Sequence, residues 1–598
     1  MYRVYAVLDE QLSLHELLEE KVGRFPRGER QRAVSARLKG FADASQVDVL
    51  ALLDTLREAG EVDRVQQLWA ANAVIFRATP AALAAVAELP EVARIGWDPE
   101  RDASAYQDIL AACPPPAPAA GGPTAEPNLV ELQAPDLWGL GYRGQNIALL
   151  NIDSGVDYNN PDLAGRIWSN PADPVDGVDN DGNGYVDDHL GWDFMENDND
   201  PFPGLGFFGG TDTHGTNTAG IMVGDGSSGG KLTGMAPRAE MAIARVNGET
   251  EHWLAMQYSL STAMDCSSSS YSYKWLIFPK PDYHMHRQLQ DMLLAAGIIH
   301  ANSIGNQGGD PSFPIPFQIS APGLSPSPWR HPQQTQVDGG VSGAMGCGAV
   351  TIGGGFYSFS SHGPSAWENV SSYDAGYLGS QDPAYWDYPV GGFGGSLQGL
   401  LKPDVVCPTD VQTTTVGGGY ISFGGTSAAT PHLGGSFALL LSVNPNAEPR
   451  HISQALQVTA LDLGTPGKDE LYGAGEVQVR DAALRLIHLI KVDDVQPHLG
   501  DTVTASVSGN PGALFLSIYG FQPGITVAPG FTLDLAPPFF VLMSGNLDPQ
   551  GEAQVSFQVP ATPTLIGTQV LLQSGEDDSA GATGQILIST LESFLIQS

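Results

Sequence analysis

Nine residues, Gly424-Gly425-Thr426-Ser427-Ala428-Ala429-Thr430-Pro431-His432, constrain this chain more than any other stretch, because they leave almost no side-chain volume around one hydroxyl. Glycine admits backbone conformations and close approaches that other residues cannot adopt. Two alanines behind the serine let a helix begin against a buried neighbour, so that the hydroxyl and backbone N–H of Ser427 project together from a helix N-terminus. A serine nucleophile needs that setting. Taken alone, a Gly-Thr-Ser run suits a turn or a helix cap equally well.

A serine hydroxyl is a weak nucleophile and requires an imidazole base, an acid to orient the base, and donors for the oxyanion that forms. Each has a candidate upstream. Ile147 to Asp153 is an apolar run that ends in a carboxylate, as a buried parallel strand does at its C-terminal tip, where sites in open α/β sheets lie. Asp153 is therefore the acid candidate. His214 precedes Gly215-Thr216-Asn217-Thr218-Ala219-Gly220, small residues suited to a helix packed closely on the sheet, and is the base candidate. A second apolar strand, Gly297 to Ile304, ends in Gly305-Asn306 and supplies a side-chain amide. Asn306 with the Ser427 N–H completes an oxyanion hole.

Asp, His, Ser is one of the known chain orders for such a triad. Five blocks stand in that order: Asp153-Ser154-Gly155, His214-Gly215-Thr216, Gly305-Asn306, Phe359-Ser360-Ser361-His362-Gly363-Pro364, and Lys402-Pro403-Asp404-Val405-Val406 leading to Gly425-Thr426-Ser427. On these the chain resembles the subtilase (subtilisin-like) serine peptidases over about residues 128–490. Asn217 stands where that family often has a second histidine, and Cys407 where it usually has alanine. The resemblance implies a three-layer α/β catalytic domain with a parallel sheet and hydrolysis of peptide bonds through an acyl-enzyme. It also implies that Ser270, Tyr271 and Ser272 line the first specificity pocket and pair with the substrate backbone. The other reading is a secreted, non-catalytic binding protein on the same scaffold, acting through its C-terminal region.

Charge narrows the partners. Residues 1–101 hold 13 Lys and Arg against 16 Asp and Glu, whereas the rest of the chain holds 15 against 50. An acidic body repels phosphate backbones, so nucleic acid is not an expected partner, and no window is long and apolar enough to span a membrane. Protein or peptide substrates, the chain's own N-terminal segment and a monomeric state are the expectations.

Residues Asp176 to Asp188 place oxygen donors at Asp179, Asp181, Asn183 and Asp187, separated by turn glycines. This spacing, with Tyr185 at the intervening position, suits a hard divalent cation and resembles the calcium loops of EF-hands and of calcium-binding subtilases. The twelfth position is Leu190 rather than Glu, so a bidentate ligand has to come from elsewhere, such as Asp176 or Asp188. Structural calcium is the expected cofactor, with no organic cofactor. Cys113, Cys266, Cys347 and Cys407 are too few and scattered for a disulfide framework; one bridge between Cys347 and Cys407 remains open beside buried free thiols. His284 and His286 read as polar surface in a loop more readily than as metal ligands.

Residues 1–101 read as a small α+β domain. Strands are expected over 2–8, 68–77 and 92–97, and helices over 46–59 and after Thr79-Pro80. The pattern is similar to the inhibitory propeptides of subtilases, which implies an autoprocessed zymogen. Residues 102–127, rich in Pro and Ala, are the linker and processing zone, with the first cut expected between Asp98 and Pro127. From 495 to 598 short alternating segments between Gly, Pro and Asn turns predict an all-β sandwich. The opening Met1 to Asp9 lacks the apolar core of a signal peptide, yet a propeptide-like domain and a calcium loop predict a secreted protein.

Overall fold

The computed structural model describes residues 1–20, 22–98, 124–206, 210–228, 230–274, 280–334, 341–365, 389–390, 397–398, 400–511, 513–528, 531–577 and 586–597. Strand β1 (Tyr2–Leu8), helix α1 (Arg27–Ser45), β2 (Val62–Leu68), β3 (Ala73–Ala78) and β4 (Val92–Trp97) open the chain. The four strands form an antiparallel sheet of order β2-β3-β1-β4. The strand expected over 68–77 is two strands, because Trp69–Ala71 turn in a short 3-10 helix and Asn72 takes φ 37°. Helix α1 escaped the apolar pattern because its buried face includes Arg30, Gln31 and Ser35. Thr79 caps the helix Pro80–Ala87, its hydroxyl accepting from the Ala82 N–H.

The central sheet uses β5 (Ala148–Asp153), β6 (Gly191–Asp193), β7 (Glu240–Arg245), β8 (Cys266–Ser269), β9 (Ile299–Ser303), β10 (Ala344–Thr351) and β11 (Val405–Thr409). They are all parallel, in the order β11-β10-β9-β8-β5-β7-β6. Strands buried on both faces read as unbroken apolar runs, which is why the alternation in this region is weak. Helices α2 (His214–Val223) and α5 (Thr426–Val443) cover one face, α3 (Glu249–Ser261) and α4 (Tyr283–Ala296) the other. Leu149, Ile243 and Ala301 pack with Leu433 and Phe437 on the first face, while Leu150, Ile152 and Ala244 pack with Trp253, Tyr258 and Met292 on the second. The mixed α/β architecture with a parallel sheet is the one expected.

The N-terminal sheet lies outside α3 and α4, where Val34, Leu38, Trp69 and Ile75 join the apolar cluster of those helices. Arg3 pairs with Asp98 and Glu251, Arg94 with Asp282, and the Tyr5 hydroxyl donates to Asp282 at 2.8 Å. At the other end of the chain, Leu489–Val492, Thr502–Ser508 and Glu552–Gln558 form one antiparallel sheet. Leu514–Gly520, Phe539–Asn546, Gln569–Asp577, Ile586–Ile588 and Glu592–Leu595 form a second, and Val503, Val507, Phe515, Leu572 and Phe594 share a core between the two.

The Gly- and Pro-rich segment 308–347 carries Ile319, Ala321 and Leu324 into a buried cluster with Tyr283, Ile304 and Leu400, so part of it is core. One local expectation changes. His284 and His286 lie in α4 rather than in a loop, and two positions along a helix point to different sides: His284 is exposed, His286 buried against Glu249 at 2.9 Å. Most of 364–400, and residues 99–123 with Cys113 and most of the expected linker 102–127, lie outside the described residues. Cys266, Cys347 and Cys407 are buried and unbonded. Among the described residues no helix is long and apolar enough to cross a membrane.

Candidate active site

In open parallel sheets, ligands bind beyond the carboxyl ends of the strands, where the strand order reverses. Strand β5 sits at that point here, flanked by β8 and β7, and ends at Asp153. His214 is the first residue of α2, with its ring Nδ1 2.7 Å from Asp153 Oδ1 and both side chains almost fully buried. The same Oδ1 accepts from the Ser154 N–H at 2.7 Å. Oδ1 of the carboxylate thus faces two donors.

Neighbouring polar groups pin the helix end that carries the imidazole. Asp212 Oδ1 accepts from the His214 N–H at 2.8 Å and from the Ser154 hydroxyl at 3.0 Å. Ser154 Oγ in turn accepts from the Gly215 N–H at 3.1 Å. A Cβ at Gly215 would lie 2.2 Å from the Gly155 carbonyl oxygen, so this approach of helix to strand requires glycine. Behind the carboxylate, Asn151 Nδ2 donates to the Gly215 carbonyl and the Thr218 hydroxyl, and Thr218 Oγ1 lies 3.4 Å from Asp153 Oδ2. The ring of His214 is flanked edge-on by Phe423 and Tyr271, at centroid distances of 5.3 and 5.9 Å.

Ser427 is the second residue of α5, after Gly425 at φ 82°. A side chain at Gly425 would meet the Asn306 amide at 2.6 Å. Asn306 Oδ1 accepts from the Thr426 N–H at 2.7 Å and the Thr426 hydroxyl at 3.0 Å. That leaves the Asn306 Nδ2 hydrogens, which can only donate, beside the first turn of the helix, whose own N–H groups lack intrahelical acceptors. Ser270 Oγ donates to the Ser427 carbonyl at 3.0 Å and holds the same turn. His432, inside the small-residue run, is structural: its ring bridges Ala428 O and Asn128 Nδ2, and burial pushes it down to about 4.

Ser270, Tyr271 and Ser272 follow the end of β8 and are buried. Strand β8 has β5 on one side and β9 on the other, so an added strand could pair only beyond its end. Ser270 and Tyr271 touch Ser427 and His214 respectively. Sequence reasoning missed Asp212, Asn151, Thr218 and Thr426. The one local signal was the position of Asp212 two residues before His214, the spacing of an Asx turn.

In the loop 170–188, Asp179 accepts from the N–H groups of Gly182, Asn183 and Gly184, and Asp187 from those of Asp176 and Gly177. These two carboxylates turn toward the loop backbone. Asp176 Oδ1 accepts from the Val178 N–H and from the side-chain amide of Asn180. Asp181 and Asp188 approach each other instead: the amide of Asn170 reaches both, and so does that of Asn183. Burial, with Asp181 adding to it, holds the Asp188 carboxyl above the usual range. Tyr185 buries its ring among Trp192, Phe194 and Tyr258. The hard oxygens brought together are therefore those of Asp181 and Asp188, which fit a cation such as calcium, while Asn183 turns its Nδ2 to them and its Oδ1 to the Tyr185 N–H. Among the described residues no cluster of three or more His, Cys, Asp or Glu forms a metal site.

A doubly covered parallel sheet with carboxylate, imidazole and a helix-borne serine at its carboxyl edge defines a subtilisin-like α/β protein. The family model described as "Subtilase family" matches residues 144–475, and the chain belongs to that family. Bacillopeptidase F of Bacillus subtilis (strain 168) is 24% identical over 486 residues, covering 76% of this chain and 28% of that protein. Subtilisin-like protease 1 of Plasmodium berghei (strain Anka) is 22% identical over 353 residues, 56% of this chain and 49% of its own length. Subtilisin E of Bacillus subtilis (strain 168) is 26% identical over 359 residues, 59% of this chain and 70% of its own. The chain spans less than half the length of the first two relatives.

Proposed function

We propose that the chain is a serine endopeptidase that cleaves protein substrates through an acyl-enzyme. His214 takes the proton of Ser427 as its Oγ attacks the scissile carbonyl, then returns it to the leaving amine. Asp153 holds the imidazole tautomer and balances the imidazolium. Asn306 Nδ2 and the Ser427 N–H receive the oxyanion. The buried 2.7 Å contact between His214 Nδ1 and Asp153 Oδ1 carries this reading, because it leaves Nε2 as the basic nitrogen of the ring. Ser270 to Ser272 form the wall of the first specificity pocket.

The N-terminal module acts as an inhibitory propeptide removed by self-cleavage, and the C-terminal sheets form a sandwich that stays attached. The seating of the N-terminal module on α3 and α4, through Val34, Leu38, Trp69 and Ile75, supports the first part. Calcium held by Asp181 and Asp188 stabilises the loop, supplying positive charge where two carboxylates meet. Export to the outside of the cell as a monomer completes the proposal. Intact-mass analysis of the wild type and Ser427→Ala, each with calcium, tests it: loss of the N-terminal module in the wild type alone is expected. A fluorophosphonate that fails to label Ser427 in the processed chain would favour the non-catalytic binding protein.

A further inference from the structure

At the far end of α2 from His214, beyond the ten residues of that helix and so about 15 Å away, lies a pocket of about 720 Å³. Arg143, Arg166 and Arg238 line it, with Trp138 and one acid, Asp225. Past residue 101 this chain has only 15 Lys and Arg against 50 Asp and Glu, and three of those cations face one cavity.

Their pairing sets them apart. Most of the other cations in this part are neutralised, as Lys231 is by Glu126, Arg245 by Asp193 and Arg485 by Asp534. Arg166 pairs with Asp225 at 3.2 Å. Arg143 and Arg238 have no carboxylate partner among the described residues, although acids outnumber bases more than threefold. The two are tied together through the backbone, the Arg238 N–H donating to the Arg143 carbonyl at 2.9 Å. The Arg143 guanidinium lies 5.7 Å from the centre of the Trp138 ring, and the indole Nε1–H is itself fixed to the Met235 carbonyl. Aromatic stacking of this kind holds a guanidinium in place while its N–H edge stays open.

The structure assigns this pocket as a binding site for an oxyanionic ligand of two or more charges: free phosphate, pyrophosphate or sulfate, or the adjacent sulfate or phosphate ester groups of a saccharide chain. Two unneutralised guanidiniums match a dianion in charge, and their planar N–H forks match oxyanion geometry. The surrounding acidic surface repels anions in general, so a local positive cleft gains selectivity for a ligand small enough to enter it. The assignment is independent of the peptidase chemistry.

Isothermal titration of the full chain carrying Ser427→Ala, with sodium pyrophosphate and separately with dextran sulfate at constant ionic strength, tests it. Saturable binding is expected, weakened at least about tenfold in Arg238→Gln and abolished when Arg143→Gln is added. Pyrophosphate binding identifies a free oxyanion, and binding of dextran sulfate alone an ester on a polymer; either upholds the pocket. Absence of saturable binding by both probes, or an unchanged Kd in Arg238→Gln, overturns it. Arg238 is exposed, so that single variant decides even if the double variant does not fold.

Discussion

Two regions of the molecule place carboxylates in tight quarters, and they resolve the charge differently. At Asp153 the carboxylate meets an imidazole and a backbone N–H. In the loop 170–188, Asp181 meets Asp188 across shared amides. The first is complete with protein atoms, whereas the second becomes favourable only with a countercharge or a proton. A third pair, Glu476 beside Glu131, takes the proton: burial and the neighbouring carboxyl push Glu476 up to about 8.

The two regions differ most at the nucleophile. Ser427→Ala is expected to lower kcat by a factor on the order of 10⁶, the size seen when subtilisin loses its serine, with Tm unchanged. Residual turnover near wild type would remove Ser427 from the chemistry. Asn306→Ala should lower kcat by roughly 10² to 10³ with little change in KM, a factor also taken from subtilisin, because Nδ2 acts on the oxyanion and not on the ground state. Thr218→Val, which removes the hydroxyl behind Asp153, should lower kcat about tenfold and displace the acid limb of the pH–rate profile, while Thr218→Ser restores both. A Tm change without a change in the profile would make Thr218 purely structural.

The loop responds to other agents. Chelation of calcium should lower Tm by several degrees before it alters kcat, roughly the shift about 1–2 kcal/mol produces in a domain of this size, and Asp188→Asn should remove the response to added calcium. The smallest effect is expected at Glu476. Its folded pKa lies above the unfolded value, so its contribution is present below the unfolded pKa and is lost as pH rises through about 8. Thermal melts across that range should decline in the wild type and flatten in Glu476→Gln; parallel curves would show that the carboxyl pair holds no proton.

The candidate site was legible to the extent that its requirements are local. Asp153 stands out because an apolar strand ends there, and Ser427 because only small residues fit around it. Asn151 and Thr218 were not legible, since a polar residue inside a buried strand or helix gains meaning only from the partner it meets across space. The fold of the N-terminal module was clearest where caps and prolines mark ends, as at Thr79-Pro80, and least clear at α1, whose buried Arg30 finds its acceptors on Leu294 and Ala295 of α4.

The strand that ends at Asp153, the small-residue setting of Ser427 and the chain order of Asp153, His214 and Ser427 are written in the sequence, because steric fit and hydrophobic runs act over a few residues, and the motifs in that order carry the family resemblance with its parallel sheet. That His214 reaches Asp153 across 61 positions, that Asp188 rather than Asp179 faces Asp181, and that Arg143 and Arg238 share one pocket in an acidic chain follow from the folded arrangement alone. Electrostatic partners are set by distance through space, and the order of residues along the chain does not contain that distance.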